Sequence, residues 1–424
     1  MQKIAATTII KNTKQLVTLF NRKNIGPRSG KAMSELGIVR NGYIAFANDR
    51  VVSVGELKKL NKSVTITDRT RVYDAGGRLV TPGLIDCHSH PVFAGNRANE
   101  FEMRLKGKTY MEIAEAGGGI KATVKAIRRS SEKTLFNNGY KVLDEMLRCG
   151  TTTVEGKSGY GLTVKDELKM LRVLNKLNEK HIVDVVPTFL GAHEIPEEYK
   201  DKPDEYVALV CDEMIPTVVK KKLSNFCDVF CEKGVFTSKQ TRMIFQTAQA
   251  FGMKLKIHAD QFHSTGGAEM AAEFMAVSAD HLDMVSDEGM HLMRKAGVIA
   301  VLIPGCVYWL KMVEAAPARR MIDDGLPVAL GTDLNPGSSP IHSMPLAMSL
   351  ACVDLKMTPA EVLTASTVNA AFAIDKGDKI GSLVPGKLAD VVIWDAEDYR
   401  EIPYWFGKNL VHSVFKNGHE VLSN

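Results

Sequence analysis

The chain has 424 residues and a formal net charge of +5, from 54 Lys and Arg against 49 Asp and Glu. The basic residues are dispersed and no apolar run is long enough to cross a membrane, which argues against a nucleic-acid or membrane partner. Seven cysteines without CxxC spacing predict neither a disulfide framework nor a thiolate zinc site. The N-terminus lacks the apolar core of a signal peptide, so we expect a reducing cytoplasmic location.

Segments rich in β-branched residues occur near both ends of the chain. They read AATTIIKN, GYIAFAND and RVVSVGEL at the start, and GSLVPGKLADVVIWDAEDY and LVHSVFKNGHEVL at the end. Their partial alternation, bounded by Gly, Asn and Asp, predicts short strands. We expect residues 1–75 and 380–424 to pair as one small composite β-sandwich domain.

Between these ends, helical patterns such as those at 166–178, 239–250 and 287–296 alternate with short apolar runs. The runs are GLIDCHSH, TTTVEGKSGYG, VDVVPTFLGAH, CDVFCEKG, LKIHAD, AVSADHL, VIAVLIPG and VALGTDLNP. Alternation of this kind indicates an α/β fold with parallel strands. Eight runs predict a TIM-like (β/α)8 barrel over residues 76–379.

Several of these runs end in a side chain that can bind a metal or move a proton. They are His88 and His90 in run one, His193 in run three, His258 in run five, His281 in run six and Asp333 in run eight. The carboxyl ends of the strands carry the active site in this fold, so we expect these side chains to converge.

The spacing of His88 and His90 places both imidazoles on one side of a strand, with Ser89 pointing away. Together with His258 and Asp333 they offer three nitrogen ligands and one oxygen ligand, a set that suits Zn(II) and also Fe(II). A lone histidine is more often a satisfied core or surface residue. The joint placement at strand ends favours a metal site.

At these residues the chain resembles the amidohydrolase superfamily, through PGLIDCHSH, the His258 strand, SADH, the Asp333 strand and GSLVPGKLADVVIW. Within it, the chain resembles the imidazolonepropionases. The segments that carry this finer match are PVFAGNRANEF, AGGGI, VEGKSGYGL, ELKMLRV, GAHEIP, EKGVF, IHADQ, SADHL, SDEG and TDLNPGSSP. The resemblance runs from about residue 75 to the C-terminus.

The resemblance implies a metal-dependent hydrolase of histidine degradation, with one zinc or iron ion per chain held by His88, His90, His258 and Asp333. Its substrate would be 4-imidazolone-5-propanoate, whose cyclic amide is opened to N-formimidoyl-L-glutamate. The family forms homodimers, which we also expect here.

Catalytic roles implied by the resemblance fall on Asp333, His281 and Gln261. Asp333 would take a proton from the attacking water and deliver it to the leaving nitrogen. His281 would orient that water or stabilise the oxyanion, the alternative being a buried histidine bonded to a backbone carbonyl. Gln261 stands where many related deaminases carry a proton-shuttling Glu. Because an amide cannot shuttle a proton at neutral pH, Gln261 weakens a cytosine- or adenosine-deaminase assignment and is given a role in binding the ring.

Substrate-binding residues are also assigned by the resemblance. They are Arg97, Tyr160, His193, Gln261, Asn335, Gly337 and Ser338. Arg97 and Tyr160 would hold the propionate, because a guanidinium pairs well with a carboxylate. Taken alone, each would be interpreted as a packing or surface residue, and NPGSSP as an ordinary loop with an N-cap serine.

Two other functions stay open. One is an aminohydrolase acting on another small cyclic amide or amidine. The other is a non-catalytic scaffold with this fold, which would be expected to lose metal ligands, whereas all four are present. The AGGGI stretch at 116–120 does not match a nucleotide-binding loop and is interpreted as a lid over the first loop.

Overall fold

The computed structural model describes residues 3–21, 25–108, 112 and 117–423. Its strands before the barrel are β1 Ile4–Ala5, β2 Thr8–Val17, β3 Ile38–Ala47, β4 Arg50–Glu56, β5 Val64–Thr65, β6 Arg71–Asp74 and β7 Leu79–Pro82. The barrel strands are β8 Leu84–Asp86, β9 Thr151–Lys157, β10 Asp184–Ala192, β11 Phe226–Cys231, β12 Lys254–Ala259, β13 Ser278–His281, β14 Ile299–Leu302 and β15 Val328–Leu330. The last strands are β16 Val391–Trp394, β17 Val411–Lys416 and β18 His419–Ser423.

Helices surround and connect these strands. In chain order the helices of the described residues are α1 Leu60–Ser63, α2 Ala98–Leu105, α3 Ile120–Arg129, α4 Glu132–Arg148, α5 Val164–Lys180, α6 Pro203–Leu209, α7 Ile215–Lys220, α8 Ser238–Ala250, α9 Gly267–Glu273, α10 Asp287–Ala296, α11 Pro304–Leu310, α12 Ala318–Asp323, α13 Met344–Val353, α14 Pro359–Thr364, α15 Ala370–Ala373 and α16 Glu401–Tyr404. None of them is both long and apolar enough to cross a bilayer.

The eight barrel strands pair in parallel in simple chain order, from β8 to β15. Their two outer edges meet where the Asp333 amide donates to the His88 carbonyl at 2.8 Å and the His90 amide donates to the Leu334 carbonyl at 2.9 Å. Each of the eight apolar runs supplies one strand. The predicted α/β barrel is therefore confirmed.

The strands and helices follow local signals in the sequence. β14 and β15 are buried throughout, as expected for parallel strands covered on both faces. The predicted helices at 166–178, 239–250 and 287–296 lie within α5, α8 and α10. Side-chain oxygens cap all three: Thr163 accepts from Asp166, Thr237 forms a capping box with Gln240, and Ser286 accepts from Gly289.

A mixed sheet built from both ends of the chain lies beside the barrel. Its order is β18-β17-β16-β7-β2-β3-β4, with β6 also paired to β2. The antiparallel pair of β7 and β16 joins the N-terminal strands to the C-terminal ones. The expected β layer made from both termini is confirmed. The exact limits of the two domains stay a prediction, since β8 follows β7 after the single residue Gly83.

Trp394 ties this terminal sheet to the barrel. Its side chain is fully buried, and it packs in the same apolar cluster as the barrel strands and helices. Its indole Nε1 donates to Thr81 Oγ1 at 2.8 Å. A Cβ at Gly150 would lie 3.2 Å from the Trp394 ring, so the turn just before β9 passes close to the indole.

We predict that Trp394→Ala lowers the free energy of unfolding by about 3–5 kcal/mol, because it empties a large buried site and leaves Thr81 without this partner. Trp405→Ala is the control, since Trp405 is 46% exposed, and its effect should stay within about 0.5 kcal/mol. Urea denaturation followed by circular dichroism measures both. Equal midpoints for the two variants would contradict this role for Trp394.

Candidate active site

The predicted metal ligands meet at the carboxyl ends of the barrel strands, and all four are buried. The imidazole centroids of His88 and His90 lie 5.6 Å apart, and that of His258, on β12, lies 4.5 Å from His88. Asp333 Oδ1 is 3.5 Å from His88 Nε2 and 3.4 Å from His90 Nε2. Ser89 points away from this cluster and donates to the Glu155 carbonyl at 2.6 Å.

Ligand atoms of these residues form overlapping groups whose members lie within 4.8 Å of one another. The groups at the mouth are His88–His90–Asp333, His90–His193–His258 and His88–His258–His281. Because they share members, they make up one cluster. Its imidazole nitrogens and carboxylate oxygen are donors that suit a divalent transition metal.

Two buried carboxylates orient the histidines. His88 Nδ1 lies 2.6 Å from Asp280 Oδ2, and His258 Nδ1 lies 3.1 Å from Asp228 Oδ2. Metal-binding histidines commonly donate one ring N–H to a carboxylate in this way, which directs the other nitrogen at the metal. The Nε2 atoms of His88 and His258 are buried and make no hydrogen bond within the described part of the chain. Such unpartnered nitrogens fit a metal ion.

The electrostatics also favour a positive charge at this point. Burial and Lys157 lower the pKa of His88, but Asp280 and Asp333 outweigh them and hold that pKa at about 9. Burial raises the pKa of Asp333, yet the imidazoles of His88 and His90, whose Nε2 atoms lie 3.5 and 3.4 Å from its Oδ1, keep that pKa well below its usual range. A cation at this position would meet the same attraction from the carboxylates as the proton on His88.

His281 lies beside the ligand cluster, with its ring centroid 5.2 Å from that of His258. Burial lowers the pKa of His281 well below its usual value, so the ring is neutral. Its Nδ1 has no hydrogen-bond partner among the residues described, which does not favour the alternative of a purely structural histidine.

His281 and Asp333 adopt left-handed backbone conformations, with φ of 76° and 51°. Such conformations cost about 1–3 kcal/mol each and cluster at functional sites.

A cavity of about 330 Å³ opens above the ligand cluster. Every predicted substrate-binding residue lines it: Arg97, Tyr160, His193, Gln261, Asn335, Gly337 and Ser338. Their roles in binding stay predictions. Gly119 of the AGGGI stretch also lines the cavity and directly precedes α3, whereas Ala116 lies outside the described residues.

Arg97 is held at the rim of this cavity by two neighbours. Its Nε donates to Glu100 Oε2 at 2.9 Å. Its guanidinium lies against Gly337 so closely that a Cβ at that position would overlap it. The Gly337 carbonyl accepts from Trp309 Nε1 at 3.2 Å. A side chain at position 337 would therefore displace the Arg97 guanidinium from this place.

Tyr160 is positioned by the loop that carries it. The buried carboxylate of Glu167 accepts hydrogen bonds from the backbone amides of Gly159, Gly161 and Leu162. These bonds hold the SGYG turn and aim the Tyr160 ring into the cavity. The sequence pattern placed Glu167 only on a helix, so this role was not predicted.

His193 stacks on His90, with ring centroids 5.1 Å apart and planes 9° from parallel. Its Nδ1 lies 3.1 Å from the Gly159 carbonyl. Burial lowers the pKa of His193 well below its usual value. A neutral ring with Nδ1–H bonded to that carbonyl leaves Nε2 as an acceptor.

The NPGSSP loop is organised by Asn335. Its Oδ1 accepts from the amides of Gly337 and Ser338 at 2.8 Å each, and its Nδ2 donates to the Asp333 carbonyl at 2.7 Å. Ser338 Oγ lies 3.4 Å from Asp333 Oδ2. The Asn335 side chain thus shapes the turn next to the cluster.

Gln261 follows Asp260, whose carboxylate accepts from the amides of Thr265 and Ala268 and so holds the turn after β12. Gln261 Nε2 donates to Cys306 Sγ at 3.4 Å. With Nε2 directed at the thiol, the amide oxygen is the end left to accept a hydrogen bond in the cavity.

The cavity is also lined by residues that were not predicted from the sequence. The polar and aromatic ones are Glu100, Arg104, Glu194, Phe230 and Phe262. Helical spacing from Arg97 would have indicated the first two, since positions i+3 and i+7 share a helix face. Phe230 lies two residues after Asp228 on β11, so strand alternation would have placed it on the same face.

Comparison with known proteins identifies the family of this chain. Residues 79–421 match the amidohydrolase family. The chain is 50% identical over 418 residues to an imidazolonepropionase of Geobacillus kaustophilus, covering 98% of each chain, and 49% identical over 410 residues to one of Alkaliphilus metalliredigens, covering 97% and 96%. The chain belongs to the imidazolonepropionase family. As a member of that family it is a hydrolase.

Among solved structures, the fold is like that of a zinc-bound adenosine deaminase from Xanthomonas campestris, with a TM-score of 0.70 at 17% identity. That match covers 100% of this chain and 94% of the other. At this identity the likeness shows the barrel fold alone.

We predict that His258→Ala removes both bound metal and turnover, because it deletes a nitrogen shared by two of the ligand groups. The control is His291→Ala, an exposed residue of α10, which should keep both. Metal analysis of the purified variants and a turnover assay measure the effect. Retention of a full metal complement by His258→Ala would rule out this ligand set.

Proposed function

We propose that this chain hydrolyses the cyclic amide of 4-imidazolone-5-propanoate to N-formimidoyl-L-glutamate. The observation that carries this proposal is the single cavity that joins the ligand cluster at its floor to Arg97 at its rim. The substrate has a ring with a carbonyl at one end, which can lie over the ligand cluster, and a propionate at the other end, which can reach Arg97. The 50% identity to an imidazolonepropionase over nearly the whole chain supports the same substrate.

We propose one zinc or iron ion per chain, bound by His88, His90, His258 and Asp333. A divalent ion supplies two effects: it lowers the pKa of bound water towards about 7, and it polarises a carbonyl oxygen. Three imidazole nitrogens and one carboxylate oxygen suit either metal.

In this proposal, Asp333 moves the proton. The water oxygen forms a bond to the ring carbonyl carbon, the proton goes to Asp333, and the C–N bond breaks as that proton passes to the leaving nitrogen. Asp333 Oδ1 faces the histidines, while Oδ2 lies towards Ser338 Oγ. His281, which is neutral, hydrogen-bonds to the attacking oxygen and stabilises the developing charge.

Gln261 and His193 bind the ring. The Gln261 amide oxygen accepts from a ring N–H, and His193, whose Nε2 is an acceptor, contacts the ring. An amide at position 261 cannot carry a proton, which leaves proton transfer to Asp333 and separates this site from deaminases with Glu at that position.

Arg97 and Tyr160 bind the propionate. Arg97 already pairs with Glu100 through Nε, so its remaining N–H groups are available for a second carboxylate. Asn335, Gly337 and Ser338 line the same cavity, and Gly337 lies directly against the Arg97 guanidinium.

The test is an assay of imidazolone propionate opening with purified protein. We expect about one metal ion per chain, loss of turnover on chelation and recovery on adding Zn(II) or Fe(II). Full activity of a metal-stripped sample, or activity only on a pyrimidine or purine, would contradict the proposal.

We further propose that the protein is a homodimer in a reducing cytoplasm. Its seven free thiols are consistent with that location, and sedimentation of the same sample tests the dimer.

We predict that Arg97→Ala mainly raises KM, by roughly 10- to 100-fold, since a hydrogen bond to a charged group contributes about 1.5–3 kcal/mol. The propionate is remote from the reacting carbonyl and is bound alike in the ground and transition states, so kcat should change little. Arg129→Ala, at an exposed position of α3, is the control. A large fall in kcat at unchanged KM would contradict this role.

A further inference from the structure

The barrel interior beneath the ligand cluster contains a network of buried charges. Its members are Glu155 and Lys157 on β9, Asp228 on β11, Lys256 on β12 and Asp280 on β13, each at most 1% exposed. Barrel interiors of this fold are usually filled by branched apolar side chains. A buried network of this kind is costly unless every charge is paired.

Lys157 lies at the centre of this network. Its Nζ is 2.6 Å from Asp228 Oδ2, 3.3 Å from Asp280 Oδ2 and 3.1 Å from Glu155 Oε2. Three carboxylates from three strands therefore share one ammonium group.

Two of these carboxylate oxygens also contact the proposed ligands. Asp228 Oδ2 is 3.1 Å from His258 Nδ1, and Asp280 Oδ2 is 2.6 Å from His88 Nδ1. Each oxygen therefore lies between the ammonium of Lys157 and one imidazole. Ser278 Oγ donates to the other oxygen of Asp280, so the ammonium and the hydroxyl together set the direction of that carboxylate.

We propose that Lys157 is a positioning residue for the metal centre. Its ammonium holds the two carboxylates that orient the ligands His88 and His258. Without it, Asp228 and Asp280 would be two like charges in a dry interior, and the repulsion between them would turn the carboxylates away from their present positions. The Nδ1 atoms of His88 and His258 would then lose their fixed acceptors, and their Nε2 atoms would no longer point to one place. This inference rests on the metal centre of the proposed function.

The chain offers a matched control. Lys416 is also buried and also bridges two aspartates, with Nζ 2.7 Å from Asp184 and 2.7 Å from Asp390. It lies on β17 in the terminal sheet, and Asp184 begins β10 at the end of the barrel away from the site. Lys416→Met therefore removes a comparable ion pair without touching the histidine partners.

The experiment measures the Zn(II) dissociation constant of the full-length protein by competition with a chromogenic chelator, and the absorption spectrum of the Co(II)-loaded form. We expect Lys157→Met to weaken Zn(II) binding by about 10- to 100-fold, the usual effect of losing a residue that orients a metal ligand. The Co(II) bands should shift because the ligand geometry changes. Lys416→Met should keep the wild-type affinity and spectrum.

If Lys157→Met does not fold, Lys157→Gln replaces it, since the amide keeps hydrogen-bond donors without the charge. A folded variant of either kind with wild-type Zn(II) affinity would overturn the inference, and so would an equal loss in Lys416→Met. A wild-type chain that binds Zn(II) but opens no imidazolone ring contradicts only the proposed function. A wild-type chain that binds no metal overturns both.

Discussion

The backbone hydrogen bonds that close the barrel are the constraint on which the site depends. The Asp333 amide donates to the His88 carbonyl, so a predicted ligand from the last strand is bonded directly to one from the first. Gly331 allows this approach, because a Cβ there would lie 2.6 Å from His88 Cβ. Asp86 reinforces the seam by accepting from the amide and hydroxyl of Thr332. The hydrogen bonds that close the barrel are therefore the same ones that bring ligands from its first and last strands together.

This arrangement accounts for the polar interior. The first and last strands bring the Asp333 carboxylate against the imidazoles of His88 and His90. The Nδ1 atoms of His88 and His258 then need hydrogen-bond acceptors from other side chains that point into the barrel. Asp228 and Asp280 do so, and each brings a negative charge into a dry space where an unpaired charge is costly. Lys157 and Lys256 offset those charges, and the Glu155 carboxylate links the two lysines. The charged residues in the barrel core therefore serve to orient the histidines at its mouth and to neutralise the carboxylates that do so.

Much of the fold could be predicted because its signals are local. Eight apolar runs marked the barrel strands, and the spacing of His88 and His90 placed two imidazoles on one face. The pairing of Lys157 with Asp228 and Asp280 could not be found in this way. It joins positions 71 and 123 residues apart, and it depends on strand order and register that no local pattern contains. The close packing of Arg97 on Gly337 is likewise a contact between two loops at opposite ends of the barrel sequence.

The two ends of the cavity differ in the charge they attract. At the floor, carboxylates oppose the burial of His88 and hold its pKa at about 9, so that end favours a cation. At the rim, Arg97 is paired with Glu100, and Arg104 lies on the same helix face with its guanidinium 5.9 Å from the Phe101 ring. Glu194 also lines the cavity, so the two guanidinium groups lie near two carboxylates, and Arg97 keeps N–H groups beyond the one that it donates to Glu100. A neutral ring with a single carboxylate tail fits both ends, since its carbonyl can lie over the cation-attracting floor while its tail accepts from the remaining N–H groups of Arg97. A purine or pyrimidine base has no anionic tail, and it would leave these N–H groups of Arg97 without a carboxylate to bind.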